Sequence, residues 1–183
     1  MLMHVCKDVE IEPQLQELTG EILNLKTSNK NDDARLDVAA RGFWSRGTMA
    51  FSDIRIFNPM ANCYSNKTLD AAHRQNECEK KRAYNQRVLE VEHGSFTPLV
   101  FSCFGGMSLE CSSFYKRLDI LWAEKLDQPY SEVCSYIKTR ICFSLLRVAI
   151  MCIRGSRVTR TKEYEEITEI DIRSVVDDAK LMK

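Results

Sequence analysis

ARLDVAARGFW (residues 34–44) and MAFSDIRIFN (residues 49–58), joined by SRGT (residues 45–48), form the stretch on which the fold turns. Both pieces have strand length and carry β-branched and aromatic residues, and a short Gly-containing connection between them suits a β-hairpin. Side chains alternate along a strand, so Phe51, Asp53, Arg55 and Phe57 share one face while Ile54 and Ile56 share the other. One face therefore mixes charge with aromatics. Asn58-Pro59 ends the hairpin.

Downstream, residues 66–92 are highly charged and contain neither Gly nor Pro, which predicts a long, largely solvated helix stopped at His93-Gly94. FTPLVF (residues 96–101) reads as a short buried strand, and Gly105-Gly106 breaks the chain before Ser108 starts a new helical pattern. Residues 109–126 and 130–153 are predicted as two helices joined by DQP, a link short enough for an antiparallel pair. Within the second, residues 141–153 read as a buried helix, too short for the roughly 20 residues that cross a bilayer and interrupted by Arg147.

Upstream, Leu15, Leu18, Ile22 and Leu25 recur at helical steps, predicting an amphipathic helix over residues 11–25 after Pro13, followed by the turn-like TSNKNDD. Residues 159–183 read as a peripheral helix or frayed tail. The expected division is an α/β core at 11–104, a C-terminal helical extension packed on it at 105–158, and the tail at 159–183.

With 183 residues, 44% of them hydrophobic, the chain has enough material for one domain with a proper core. Lys plus Arg and Asp plus Glu each number 26, so any attraction to a polyphosphate must be local. The 8 cysteines include no C-x-x-C pair, which favours free thiols in a reducing compartment over a disulfide framework, with zinc ligation the minor alternative. No secretory leader opens the chain, and an intracellular setting, nuclear or cytoplasmic, is expected. There is no G-x-S-x-G elbow for a serine hydrolase and no G-K-[ST] after Gly105-Gly106 for a phosphate loop.

Three acids come from separate predicted elements: Glu21 in the first helix, Asp37 in the first hairpin strand and Asp53 in the second. Carboxylates gathered at strand ends make a hard-oxygen site for Mg²⁺ or Mn²⁺, an ion that activates water and neutralises charge on a scissile phosphate. Asp37 and Asp53 are the informative ones, because a carboxylate amid strand-forming apolar residues is unfavourable unless paired or ligating. Arg55 could bind a phosphate oxygen from the same face or simply neutralise Asp53. On the long helix, Lys80 and Tyr84 stand four apart on one face while Lys81 points elsewhere. Arg74, Lys80, Lys81, Arg82 and Arg87, set against Glu77, Glu79 and Glu90, suit either a phosphate-contacting face or a plainly solvated one.

Asp37, then Asp53-Ile54-Arg55 sixteen positions on, then Lys80-Lys81-Arg82-Ala83-Tyr84, resembles the PD-(D/E)XK core and the downstream K-x-x-x-Y motif of restriction-like endonucleases in site-specific non-LTR retrotransposons. The phrases ARLDVAARGFW, AFSDIRIFNP and EKKRAYNQRVLEVEHGSFTPLVFS also resemble the C-terminal part of reverse-transcriptase-like proteins of mobile elements, over about residues 12–156. The resemblance implies a metal-dependent domain that nicks target DNA to prime reverse transcription. In it Asp37, Asp53 and Glu21 would be metal ligands. Lys80 would be the relocated lysine that positions the attacking water, Tyr84 its helix-face companion, and Arg55, Lys81 and Arg82 the contacts to nucleic acid. Implied partners are DNA first, the element's RNA second, and a reverse transcriptase domain encoded upstream; no membrane is involved.

Three departures qualify it. Leu36 stands at the family's Pro and Arg55 at its Lys, and the chain lacks a reverse transcriptase domain and a C-C-H-C knuckle, as expected of a fragment or degenerate copy. Two readings therefore stand beside the endonuclease: an inactive nucleic-acid-binding remnant of the same fold, and a helical interaction domain whose acids are structural. Trp44, Tyr115, Trp122 and Phe143 are expected in the core between sheet and C-terminal helices. Arg140, Arg147 and Arg154 recur at seven-residue steps, suiting a solubilising edge or a phosphate-binding stripe.

Overall fold

A computed structural model describes residues 1–16 and 35–154, the last three of these by their backbone alone. Met1–Ala149 form one compact unit, a mixed α/β body; the second unit, Ile150–Lys183, falls almost wholly outside the described residues. Along the chain come α1 (Leu2–Val5), β1 (Lys7–Ile11), β2 (Val38–Arg41), β3 (Met49–Phe57), a 3-10 turn (Asn62–Tyr64), α2 (Leu69–Glu90), β4 (Ser95–Ser102), α3 (Leu109–Leu126) and α4 (Tyr130–Arg154). The strands form a single sheet in the order β1-β2-β3-β4.

The predicted hairpin is present: β2 and β3 pair antiparallel, with Val38 opposite Ser52 and Arg41 opposite Met49. β4 then pairs parallel to β3 from Ala50–Ser95 to Phe57–Ser102, so α2 is the crossover of a β-α-β unit. The long helix starts where Thr68 accepts a hydrogen bond from the Ala71 amide at 3.2 Å, with Asp70 in its first turn and Arg87 in its last. α3 starts in the same way on Ser108, whose hydroxyl accepts from the Cys111 amide at 3.4 Å. It ends on Asp127 in the left-handed region at φ +53°, which turns the chain into α4.

β4 is buried along nearly its whole length because helices cover both of its faces. Phe96 meets Tyr84 of α2, while Phe101, on the opposite face by alternation, meets Tyr115 of α3. On the α2 side Leu15, Leu36, Ala39, Phe51, Tyr84, Val88 and Phe96 make one cluster. On the α3 side Phe43 is fully buried against Phe114, with ring centroids 4.3 Å apart, and the Trp44 indole Nε1–H donates to Thr97 Oγ1 at 3.0 Å.

Gly94 is required where α2 turns back into β4. A Cβ there would lie 2.8 Å from the Met49 carbonyl oxygen and 2.8 Å from the Phe51 ring, and backbone cannot yield as a side chain can. Gly94→Ala is expected to lower stability by about 1–3 kcal/mol through overpacking. A urea midpoint equal to that of the parent would show that the turn packs more loosely than described.

Three expectations are corrected. Ile11 closes β1 opposite Val38, and Gln14 forms a bridge with Arg35, so the start of the predicted helix at residues 11–16 is extended chain instead; its remainder, with Glu21, lies outside the described residues. Sheet pairing wins there over a periodicity that Leu15 and its successors share with an amphipathic helix. The second correction is Phe143, 64% exposed. α4 buries Val133, Ile137, Ile141 and Leu145, and a residue two places from Ile141 sits about 200° around the helix from it. For the same reason residues 141–151 are not a buried helix throughout: Leu146, Val148, Ile150 and Met151 are also exposed. Trp122, by contrast, is buried, and Trp44 and Tyr115 are half-buried.

Candidate functional site

β3 outlasts its partner. The β2 ladder begins at Val38 opposite Ser52, so β3 runs on past it from Asp53 to Phe57 with only β4 alongside. Asp37, the residue just before β2, takes over where the ladder stops. Its amide donates to the Ser52 carbonyl at 3.2 Å, and its carboxylate Oδ2 accepts the Ile54 amide at 2.5 Å. A short acid thus replaces one rung of sheet and stands beside Asp53.

α2 returns antiparallel to β3, and the two read against each other in reverse order. Phe51 meets Tyr84 and Val88, Asp53 meets Lys80, Arg55 meets Glu79, and Phe57 meets Ala72 and His73. All four β3 residues lie on the single face predicted from alternation. The apolar ends carry the packing, and the middle holds two ion pairs.

Lys80 Nζ lies 2.5 Å from Asp53 Oδ2, an ion pair in which the side chain of the acid is only 8% exposed. Burial raises the Asp53 carboxyl above the ordinary carboxylate range; Lys80 pulls it back down, while the neighbouring Asp37 pushes it up further. Lys80 also sits over the Tyr84 ring, 5.7 Å from its centroid. The Tyr84 hydroxyl is raised, first by burial and then by the charges of Asp53 and Asp37.

Asp37, Asp53, Lys80 and Tyr84 are therefore gathered in one place from the end of β2, from β3 and from α2. Arg55 pairs with Glu79 at 2.7 Å, not with Asp53 as its simplest reading suggested. Lys81 is turned away and pairs with Glu110 in the first turn of α3, whose amide is in turn held by Glu77 at 3.0 Å. Arg82 is exposed, and its charge bears on Glu79. Sequence reasoning named Glu79 only as an acid set against the helix cations, and did not single out Gln75, which completes its surroundings. The available signal was the pattern Asp-x-Arg on a strand facing Glu-Lys on the returning helix.

Among the described residues, no three His, Cys, Asp or Glu side chains converge as a metal cage. The pair Asp37 and Asp53 nonetheless suits an ion such as Mg²⁺, which keeps much of its water and takes one or two carboxylates together with phosphate oxygens. Asp37 gives Oδ2 to the Ile54 amide, and Asp53 Oδ2 faces the Lys80 ammonium at 2.5 Å, so an ion there would share the two carboxylates with that cation. The seven described cysteines are free thiols, with Cys111 pushed up by burial. No helix among the described residues is long and apolar enough to cross a membrane. No protein-family model matches this chain, and no curated protein matches it.

Proposed function

We propose that this chain carries a nuclease domain of the PD-(D/E)XK kind, of the sort found in non-LTR retrotransposons, and that it hydrolyses phosphodiester bonds of DNA. The observation that carries the reading is the convergence of Asp37, Asp53 and Lys80 on one face of a β-α-β unit. Asp53 is buried there with Lys80 at ion-pair distance. A buried acid whose ionisation is opposed by its surroundings and partly recovered through a neighbouring cation is a pattern common at reacting centres.

Asp37 and Asp53 would hold the ion, Mg²⁺ or Mn²⁺, which when bound supplies Lewis-acid stabilisation of phosphoryl charge. Lys80 Nζ donates to the attacking water or to a phosphoryl oxygen and so fixes the line of approach. A bond forms from the water oxygen to phosphorus, the bond from phosphorus to the leaving ester oxygen breaks, the water's proton passes to solvent, and the leaving oxygen takes up a proton from solvent to become a hydroxyl. Tyr84 would steady Lys80 through its ring face, over which the ammonium sits. Arg82 and Arg55 lie along α2 and β3 where the flanking backbone would run, and the upstream reverse transcriptase would use the nicked end. Lys81, committed to Glu110, contributes least.

The test is nicking of supercoiled plasmid with Mg²⁺ or Mn²⁺. The expected result is relaxed circles that disappear in EDTA and in Lys80→Ala. A specific observation favours a second reading, a non-cutting nucleic-acid-binding remnant: both strand charges already have partners, Asp53 with Lys80 and Arg55 with Glu79. A folded parent chain that retards DNA and nicks nothing would establish that reading instead.

A further inference from the structure

Glu79 is held by more donors than an ordinary surface ion pair. Arg55 Nη1 donates to its Oε2 at 2.7 Å, and Gln75 Nε2 donates to its Oε1 at 2.9 Å. The Arg82 guanidinium adds its charge, and together these hold the Glu79 carboxyl below the ordinary range. Gln75 is itself tied by its carbonyl to Lys67 Nζ. Two elements thus aim a guanidinium nitrogen, an amide and further positive charge at one pair of anionic oxygens, an arrangement that suits a tetrahedral phosphate at least as well as a carboxylate.

The position of the pair matters as much as its chemistry. Arg55 is two residues from Asp53 on the same strand face, about 6.6 Å along β3, which is close to one phosphate step along a nucleic-acid strand. The Asp53–Lys80 pair is mostly buried, whereas the Arg55 and Glu79 side chains are 33% and 40% exposed. An exposed pair of this kind adds little to stability, so an incoming anion can replace its acid at small cost.

We propose that Arg55, Gln75 and Arg82 form a cradle for the DNA phosphate adjacent to the one at Asp53, and that Glu79 fills this cradle in the free protein as an internal stand-in for that phosphate. DNA must displace the Glu79 carboxylate to engage Arg55, so Glu79 sets a threshold for binding and rejects weakly charged ligands. The proposal rests on the nuclease reading for its choice of ligand, but not on cleavage.

The experiment compares duplex-oligonucleotide affinity of the full chain, Glu79→Gln, Arg55→Ala and the double variant, with Ca²⁺ replacing Mg²⁺ to hold off cleavage. Glu79→Gln is expected to bind about fivefold tighter, since the acid no longer competes for Arg55, and the double variant to lose that gain. Affinity unchanged or weakened in Glu79→Gln, or a gain that survives in the double variant, overturns the cradle. The parent chain gives an independent reading that needs no variant: the Arg55 Nε–H NMR resonance should move on saturation with duplex, and a stationary signal in a bound complex overturns the proposal. A gain that depends on Arg55 in a protein that never nicks plasmid removes the nuclease and keeps the cradle. Nicking without the gain does the reverse, and absence of DNA binding in every form removes both.

Discussion

Asp53→Asn is expected to reduce metal-dependent nicking by about 10²–10³-fold while leaving a cooperatively folding protein, because the substitution keeps shape and removes only charge. The argument starts from burial. Asp53 is 6% exposed, its ionised form is opposed by desolvation and by Asp37, and Lys80 at 2.5 Å supplies the compensation. An asparagine cannot offer an anionic oxygen to a hard cation, nor anchor the Lys80 ammonium as an acid does, so both the ion and the water-positioning group lose their register at once. Lys80→Ala removes the water-positioning group and strips the buried Asp53 carboxylate of its cation, so nicking should be lost there as well. Far-UV circular dichroism and a single urea transition check the fold, and plasmid nicking reads the activity. Undiminished nicking by folded Asp53→Asn would place the chemistry elsewhere.

Phe43→Ala is expected to cost about 3–5 kcal/mol, a drop in melting temperature of about 6–20 °C. Phe43 is fully buried just beyond β2. It stacks on Phe114 of α3 at 4.3 Å and meets the Trp44 ring edge-on at 5.0 Å, and its carbonyl accepts from Arg117 Nε at 3.4 Å. The hairpin and α3 share this contact, so the cavity cannot be refilled by either one alone. Against a typical margin of about 5–15 kcal/mol, the variant is left with little reserve. Thermal unfolding followed by tryptophan fluorescence measures it, and a change below about 1 kcal/mol would mean that α3 does not seat on the sheet as described.

The parts of this architecture that declare themselves in the sequence depend on neighbours close along the chain. The hairpin rests on alternation on either side of SRGT, α2 on an unbroken charged run behind Thr68, and α3 on Ser108. β1 gave no such signal, since KDVEI is short and polar and becomes a strand only because β2 offers an edge. The site divides in the same way. Lys80 and Tyr84 on one helix face, and Asp53 and Arg55 on one strand face, follow from local periods. Which base meets which acid does not, because that depends on how far α2 slides along β3: Lys80 takes Asp53 and Glu79 takes Arg55. Phe143 shows the limit from the other side, for an apolar run carries no mark of which third of a helix faces inward.

The margins of the sheet have a consequence of their own. β1 carries Lys7, Asp8 and Glu10, breaks register between Lys7 and Glu10, and holds Asp8 at φ +47°. β4 contains Pro98, which offers no amide hydrogen, and its end is occupied by the chain itself, with the Ser102 amide bonded to Gly106 and the Val100 carbonyl to Ser108. Among the described residues, neither rim presents a flat row of vacant backbone groups to a stranger's strand. Rims finished in this way disfavour edge-to-edge pairing of one sheet with another, the first step toward fibrils.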